Sequence, residues 1–328
     1  MARLGHAASR LPQDALNPAG VQAAHILQLW NVTLTVCGVV FAAVLVAVLI
    51  ALMRRSDKSG RDATGGPAPN ESRAQRAIVF TSAMSVVVLL GLVAADVLTD
   101  RALSRLPVED ALHIQVTGEQ WWWKADYPGE RGQPGFTTAN ELHVPVGRPV
   151  IVSLKAADVI HSFWVPNLHG KKDMLPGLDS TIEFRADKRG VYRGQCAEFC
   201  GAEHALMAML VFAQEPADYA AWAARQAAPV SADADGAAVE RGLQIFQQSS
   251  CANCHSVRGI SAQGTMGPDL THLMSRQTIA SGALLNTPQN LADWLRDPNA
   301  VKPGTTMPVV PLSAPDREAL VAWLATLR

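Results

Sequence analysis

The sequence lacks an excess of charge, and this absence removes one broad class of partner. Its 28 Lys and Arg residues nearly balance its 29 Asp and Glu residues, giving a formal net charge of −1. No charge argument therefore indicates a nucleic-acid partner. Cysteine is scarce as well, with five residues, four of which form the close pairs Cys196/Cys200 and Cys251/Cys254. Close pairs with histidines nearby indicate metal or haem binding more than a disulfide framework.

Charged residues are also missing from two long apolar runs near the N-terminus, residues 29–53 and 77–95. About 20 apolar helical residues cross the hydrocarbon core of a bilayer, so the runs predict membrane helices over about 29–53 and 77–98. The alternative for the first run is a cleaved signal peptide, which its length disfavours. The intervening loop is basic, so both termini are predicted to face the periplasm of a bacterial inner membrane. Its basic residues are Arg54, Arg55, Lys58, Arg61, Arg73 and Arg76.

After residue 105 the pattern changes to short β-rich runs separated by Pro-Gly turn signals. Such runs predict an all-β sandwich over residues 106–225. They cover residues 112–117, 141–144, 149–154, 181–185, 191–195 and 206–212. His113 and His143 alternate along these runs and are predicted to lie at the surface, and His169 is predicted in an exposed loop.

Two segments of this region carry metal chemistry. One is Asp-Val-Ile-His161-Ser-Phe, and the other is Cys196-Ala-Glu-Phe-Cys200-Gly-Ala-Glu-His204-Ala-Leu-Met207. Thiols, imidazoles and a thioether form a soft ligand set that suits copper. A mononuclear blue-copper site needs one cysteine, so a second thiol four positions later favours two thiolates that bridge two copper ions. Zinc is the alternative, but Met207 has no place in a zinc site.

These motifs, with Gly118-Glu-Gln-Trp121-Trp-Trp123 upstream, resemble subunit II of haem-copper cytochrome c oxidases over roughly residues 25–215. The resemblance implies a cupredoxin fold with the dinuclear copper centre CuA. It implies that Glu198 also reaches a magnesium ion shared with subunit I, and that electrons enter at Trp121. The implied CuA ligands are His161, Cys196, Cys200, His204, Met207 and the backbone carbonyl of Glu198.

The resemblance also bears on Glu71, and strand geometry bears on the three tryptophans. In many members of the family a glutamate near the cytoplasmic start of the second helix lies at a proton entrance of subunit I, and Glu71 lies nearby. The simpler interpretation of Glu71 is a solvated loop glutamate. Three adjacent tryptophans cannot share one face of a strand, so Trp122 is predicted to point away from its neighbours.

The C-terminal part contains Cys251-Ala-Asn-Cys254-His255, the motif for covalent attachment of haem c. The two thiols add to the haem vinyl groups, and His255 becomes the proximal ligand. Helical patterns over 239–248, 290–296 and 316–327 predict an all-α class I cytochrome c domain over residues 236–328. Met307 is predicted as the sixth ligand, because Met266 stands too near the proximal loop and Met274 is typical of a helical core.

Together these features predict a multidomain chain: a transmembrane hairpin over residues 1–105, the cupredoxin domain over 106–225 and the cytochrome c domain over 236–328. The predicted function is that of an oxidase subunit II. A cytochrome c or another periplasmic donor reduces haem c, and electrons pass to CuA and on to subunit I for oxygen reduction coupled to proton pumping. Subunits I and III are the predicted membrane partners. A CuA subunit of a nitric oxide reductase from the same superfamily is the alternative.

Overall fold

The computed structural model describes residues 11–56, 71–104, 109–130, 132–230 and 236–328. The described chain divides into two compact units, Ala24–Arg105 and the combination of Met1–Ala23 with Leu106–Arg328. The loop with Lys58 and Arg61 lies outside the described residues, as do the side chains of Arg54, Arg55 and Glu71.

The smaller unit consists of two long helices, α1 (Val21–Ser56) and α2 (Glu71–Leu103). Both extend beyond the predicted runs, because the polar residues that flank each run continue the helix. At 1.5 Å per residue, each exceeds the roughly 30 Å hydrocarbon thickness. Large apolar side chains are exposed along both helices, among them Phe41 and Leu90. Such surfaces are unfavourable in water, and the two helices are candidate membrane spans.

The second unit begins with ten strands in two five-stranded sheets, which confirms the predicted sandwich. The strands are β1 (Leu112–Glu119), β2 (Trp122–Tyr127), β3 (Phe136–Ala139), β4 (Glu141–Pro145), β5 (Val150–Ala156), β6 (His161–Trp164), β7 (Lys172–Met174), β8 (Ser180–Phe184), β9 (Gly190–Cys196) and β10 (Ala208–Gln214). The sheet orders are β3-β2-β1-β5-β8 and β4-β10-β9-β6-β7, and β1 with β5 and β4 with β10 are the parallel pairs. Strands β2, β3, β6 and β7 were not predicted.

The sandwich core follows from the two-residue period of its strands. Along β1 the side chains of Leu112, Ile114 and Val116 are buried while their neighbours are more exposed. Trp123 on β2 and Phe163 on β6 meet edge to face at 6.1 Å inside the core. Alternate side chains of both sheets thus fill the space between them.

Helix α3 (Pro216–Ala227) covers one face of the sandwich and corrects the prediction for His143. Its Trp222 stacks on the imidazole of His143 at 3.9 Å, and Phe212 stacks on the other side at 4.3 Å. His143 is therefore buried, and this burial lowers its pKa to about 4. The strand pattern alone could not show that a later helix covers this face. His169 is half-buried where an exposed loop was predicted.

The residues before α1 form an N-terminal strap, residues 11–20, that lies across the sandwich. The backbone of Pro12 accepts a hydrogen bond from Arg193, and Ala19 donates to the carbonyl of Asn167 at 2.7 Å. At Gly20, a side chain would lie 2.6 Å from the carbonyl oxygen of Arg185, so this close approach requires glycine.

The C-terminal part is helical, as predicted for the cytochrome domain. Helix α4 (Ala237–Gln248) crosses α8 (Ala314–Leu324) at Gly242, where a Cβ atom would overlap the carbonyl oxygen of Ala319. Phe246 and Trp323 pack at the same crossing with ring centroids 4.7 Å apart. The helices are α4 (Ala237–Gln248), α5 (Cys251–Cys254), α6 (Pro288–Arg296), α7 (Pro298–Val301) and α8 (Ala314–Leu324), and the two short hairpins are β11 (Ser256–Val257) with β12 (Ala262–Gln263) and β13 (Thr278–Ile279) with β14 (Leu284–Leu285).

Candidate copper and haem sites

The candidate copper ligands converge at one end of the second sheet. His161 begins β6 and Cys196 ends β9, and these two strands are paired through Phe163 opposite Cys196. The segment that follows β9, residues 197–207, is here called the copper loop; it turns back before β10 and carries the other candidate ligands. Strand pairing therefore brings a distant histidine to the cysteine-rich loop.

The ligand atoms lie close to two adjacent sulfur atoms. Cys196 Sγ is 3.1 Å from the carbonyl oxygen of Glu198 and 3.9 Å from His161 Nδ1. Cys200 Sγ is 3.7 Å from His204 Nδ1 and 3.8 Å from Met207 Sδ. The six predicted groups thus form two similar sets, one around each thiol. Six groups, five of them sulfur or imidazole donors, exceed the four that a tetrahedral zinc site takes, and they fit two copper ions.

The two thiols of this cluster differ in acidity. The Cys200 thiol donates a hydrogen bond to Cys196, which lowers the pKa of Cys196 and, together with burial, raises the pKa of Cys200. One proton is therefore lost easily, whereas loss of the second leaves two buried thiolates side by side. A bound cation compensates for such charge, as expected of a metal site.

Asp158 orients the histidine ligand and the tryptophan segment together. Its Oδ1 lies 2.8 Å from His161 Nε2, which leaves Nδ1 directed to the sulfur of Cys196. Its Oδ2 accepts the backbone N–H of Gln120 at 2.6 Å. Gly118 gives the imidazole room, because a Cβ there would lie 2.9 Å from the His161 ring. Hydrogen-bonded carboxylates commonly hold metal-ligating histidines in this way.

The carboxylate of Glu198, predicted to reach magnesium, belongs to the copper loop and is half-buried. It lies 3.5 Å from Lys171 Nζ, which also pairs with Asp173 at 2.9 Å. Its backbone carbonyl oxygen contacts the sulfur of Cys196, so the carbonyl and the carboxylate of this residue have different surroundings. The magnesium assignment stays a prediction.

Trp121 connects the copper loop to the cytochrome region. Its indole Nε1 donates to the carbonyl of Cys200 at 2.9 Å, and a Cβ at Gly201 would lie 3.0 Å from the indole ring. Its own carbonyl oxygen accepts hydrogen bonds from Ser281 Oγ at 2.8 Å and Lys302 Nζ at 3.1 Å. Trp123 is buried in the sandwich core while Trp122 lines the neighbouring cavity, in line with strand alternation. Trp121 precedes β2 and lines the same cavity as Trp122, so the prediction that Trp122 points away from both neighbours holds for Trp123 only.

That neighbouring cavity, of about 350 Å³, lies between the copper loop and the helices of the cytochrome region. Cys251, Cys254, His255 and Met307 all line it, together with apolar residues of α4, α6 and α8. His255 Nδ1 is 2.8 Å from the carbonyl oxygen of Pro268, which leaves Nε2 available for a metal. Burial lowers the pKa of His255, so the imidazole is neutral, as a ligand must be. The donor set fits covalent haem c with a histidine ligand.

Two methionines border this cavity, Met266 and Met307. Met266 precedes Gly267, whose Cβ, if present, would lie 2.6 Å from the His255 ring, so Met266 stands on the proximal side. Met307 lies on a different segment, after α7. Met274 packs against the helical core instead. These positions favour Met307 as the distal ligand.

Arg276 is a residue of the cavity that the sequence reasoning missed. Its guanidinium is buried, donates through Nη2 to the carbonyl of Asp269, and has no partner for Nε among the described residues. A buried, incompletely paired guanidinium is suited to a carboxylate, and haem carries two propionates. A lone arginine in the sequence offers no signal of this role; only the fold brings it to the cavity.

Comparisons with known proteins agree with this architecture. Residues 132–214 match the profile "Cytochrome C oxidase subunit II, periplasmic domain", and residues 239–328 match the profile "Cytochrome c". Cytochrome c oxidase subunit 2 of Alkalihalophilus pseudofirmus is 36% identical over 96% of this chain and 90% of its own length. The same subunit of Bacillus sp. PS3 is 32% identical over 70% of this chain and 67% of its own length.

Among solved structures, the periplasmic domain of subunit II of cytochrome oxidase from Bradyrhizobium japonicum is 34% identical. The match covers 35% of this chain and 92% of the solved chain, with a TM-score of 0.33.

A cupredoxin domain with this ligand cluster, joined to a c-type cytochrome domain and two apolar helices, defines a membrane-bound electron-transfer subunit. The chain belongs to the cytochrome c oxidase subunit 2 family: it is subunit II of a haem-copper oxidase with a cytochrome c domain. Its two domains imply binding of copper and haem c.

Proposed function

We propose that this subunit carries electrons singly from a periplasmic donor to subunit I, through haem c and then CuA, for oxygen reduction coupled to proton pumping. When bound, haem c and the copper pair supply reversible one-electron redox chemistry. Haem c would be held by Cys251, Cys254, His255 and Met307. The copper pair would be held by His161, Cys196, the carbonyl of Glu198, Cys200, His204 and Met207.

The observation that carries this proposal is the place of Trp121. Its indole donates to the backbone of the candidate copper ligand Cys200, and the residue also lines the cavity of the haem-attachment motif. One aromatic residue therefore borders both candidate sites. A π-system between two redox centres shortens the saturated path that an electron must cross.

The protein residues around the copper site exclude water from most of its ligands and fix their positions. Cys196, Cys200 and Met207 are at most 3% exposed, and His161 is fully buried. A buried and rigid ligand shell limits the solvent reorganisation that accompanies each change of charge. Asp158 adds an oriented carboxylate at 2.8 Å from His161.

The same proposal includes the membrane topology of the subunit and its partners. The N-terminal strap contacts the sandwich, so the start of α1 and the copper domain share one side of the membrane. We assign that side to the periplasm, with both termini there and two spans in the bacterial inner membrane. Subunits I and III are the proposed membrane partners, and Glu198 is the proposed ligand of a magnesium ion shared with subunit I.

The experiment compares Trp121→Phe with Trp122→Phe in the assembled oxidase. Both tryptophans line the haem cavity, but only Trp121 bonds to the copper loop. The expected result is a seven-line copper resonance and a c-type α-band in all three proteins, with slower haem-to-copper electron transfer in Trp121→Phe alone. A colourless, zinc-loaded copper domain, or equal transfer rates in both variants, would contradict the proposal. Oxygen consumption without nitric oxide turnover distinguishes an oxidase from a reductase.

A further inference from the structure

A buried ion pair joins the two domains between the candidate sites. Lys302 Nζ lies 3.0 Å from Glu203 Oε2, and the two side chains are 3% and 1% exposed. Apart from this pair, neither carboxylate oxygen of Glu203 has a hydrogen-bond partner among the described residues. The pair is therefore desolvated, and each charge depends on the other.

Each residue of the pair lies on a segment that carries a candidate metal ligand. Glu203 lies in the copper loop directly before the ligand His204. Lys302 follows α7 and precedes Met307 in the segment 302–307, here called the distal loop. The ion pair thus ties the loop of one candidate ligand to the loop of another.

Lys302 also contacts the tryptophan that borders both sites. Its ammonium donates to the carbonyl of Trp121 at 3.1 Å, and the second hydrogen bond to that oxygen comes from Ser281. Both donors belong to the cytochrome region, whereas the indole of Trp121 bonds to the copper loop. The two loops are also close at Gly304, where a Cβ would lie 3.2 Å from the Cβ of Ala202.

We propose that Lys302 is a positioning residue that fixes the distal loop against the copper loop and Trp121, so that the two domains work from one docked arrangement. The proposal rests on the proposed function of electron transfer between the domains. A single ammonium group has three donors, and here it serves a carboxylate of one loop and the carbonyl of Trp121. Because the pair is buried, salt in the medium screens it little.

The test uses the assembled oxidase with Lys302→Met, Lys302→Arg and the control Lys155→Met. Lys155 pairs with Asp179 at 3.4 Å on the exposed surface, so the control removes the same charge from a solvated pair. Two quantities are measured: the rate of haem-to-copper electron transfer after rapid reduction, and amide exchange over residues 299–306. Copper resonance and haem spectra establish that both centres are loaded.

The expected result for Lys302→Met is slower transfer, on the order of tenfold to a hundredfold, because small displacements of reacting groups have effects of this size. Amide exchange in the distal loop is expected to rise. Lys302→Arg is expected to restore much of the transfer rate and much of the protection of the distal loop. Lys155→Met is expected to match the parent protein in both quantities. Parent-like transfer and exchange in Lys302→Met would overturn the positioning role while leaving the proposed function intact.

Two further outcomes are also decisive. Absence of transfer in the parent protein would overturn the proposed function and this inference together. If Lys302→Met does not assemble, Glu203→Gln removes the counter-charge of Lys302 with almost no change of shape. A rise in distal-loop exchange in Glu203→Gln would then support the inference, and parent-like exchange would refute it.

Discussion

Glu141 offers a pH-dependent test of how the two domains are held together. It begins β4 of the sandwich, is 3% exposed, and accepts backbone N–H groups from Gln277 at 2.7 Å and Thr278 at 3.1 Å in the cytochrome region. Burial raises its pKa from 4.5 to about 7, although the hydrogen bonds from Thr278 and Gln277 and the charge of Arg276 oppose the rise.

The size of the effect follows from this pKa. At about 1.4 kcal/mol per pH unit, the rise from 4.5 to about 7 corresponds to on the order of 3 kcal/mol. The docked form has the higher pKa and so binds more protons. The contribution of the Glu141 side chain to docking is therefore fully present below pH 4.5 and is lost as the pH rises through about 7.

Glu141→Gln keeps the acceptor oxygen but removes the titration. We expect the variant and the parent to hold Thr278 equally well near pH 4.5. At pH 8 the amide of Thr278 should be more protected in the variant, by up to roughly a hundredfold, since about 1.4 kcal/mol is a factor of ten. Amide exchange, corrected for the intrinsic effect of pH, measures this difference in the full-length chain.

Glu240→Gln is the matched control, because Glu240 is exposed on α4 of the same cytochrome region. Its exchange profile should follow the parent at every pH. The reasoning is refuted if Thr278 protection falls with pH to the same degree in parent and Glu141→Gln, or if the variant is the less protected of the two at pH 8.

Three other predictions follow from the sites and the core. Cys200→Ser removes one of the two sulfurs, so the mixed-valence copper resonance and near-infrared absorption should disappear while the haem spectrum remains. Met307→Leu should remove the thioether ligand and lower the haem reduction potential, whereas Met266→Leu should leave the potential at its parent value in redox titration. Gly242→Ala forces a methyl group into the backbone of α8 and should lower the free energy of unfolding of the cytochrome domain by about 1–3 kcal/mol or more, measured by denaturant unfolding. Gln244→Ala, on the exposed face of α4, should change this free energy by less than about 0.5 kcal/mol.

The copper cluster could be predicted from sequence because most of its chemistry is local. Cys196, Cys200, His204 and Met207 lie within one loop, and their spacing is informative without any knowledge of the sheet. His161 is the exception, since β6 was not predicted as a strand. Its place beside Cys196 depends on the pairing of β6 with β9, which only the fold shows.

The contacts between domains could not be predicted for a physical reason. Glu203 and Lys302 are charged residues that ordinarily lie at the surface, and nothing in either local segment indicates that they meet. Burial of His143 likewise depends on Trp222, which reaches it from a helix that follows the sandwich. Local patterns determine the elements, whereas long-range docking determines which polar groups lose their water.

The N-terminal strap has a consequence for biogenesis. Backbone groups of Pro12 and Ala19 bond to parts of the sandwich that are synthesised much later, at Arg193 and Asn167. Residues 11–20 can therefore form these hydrogen bonds only after residues 167 and 193 have been synthesised. Removal of residues 11–20 would leave these backbone groups of the sandwich without their partners. We therefore expect loss of residues 11–20 to destabilise the copper domain.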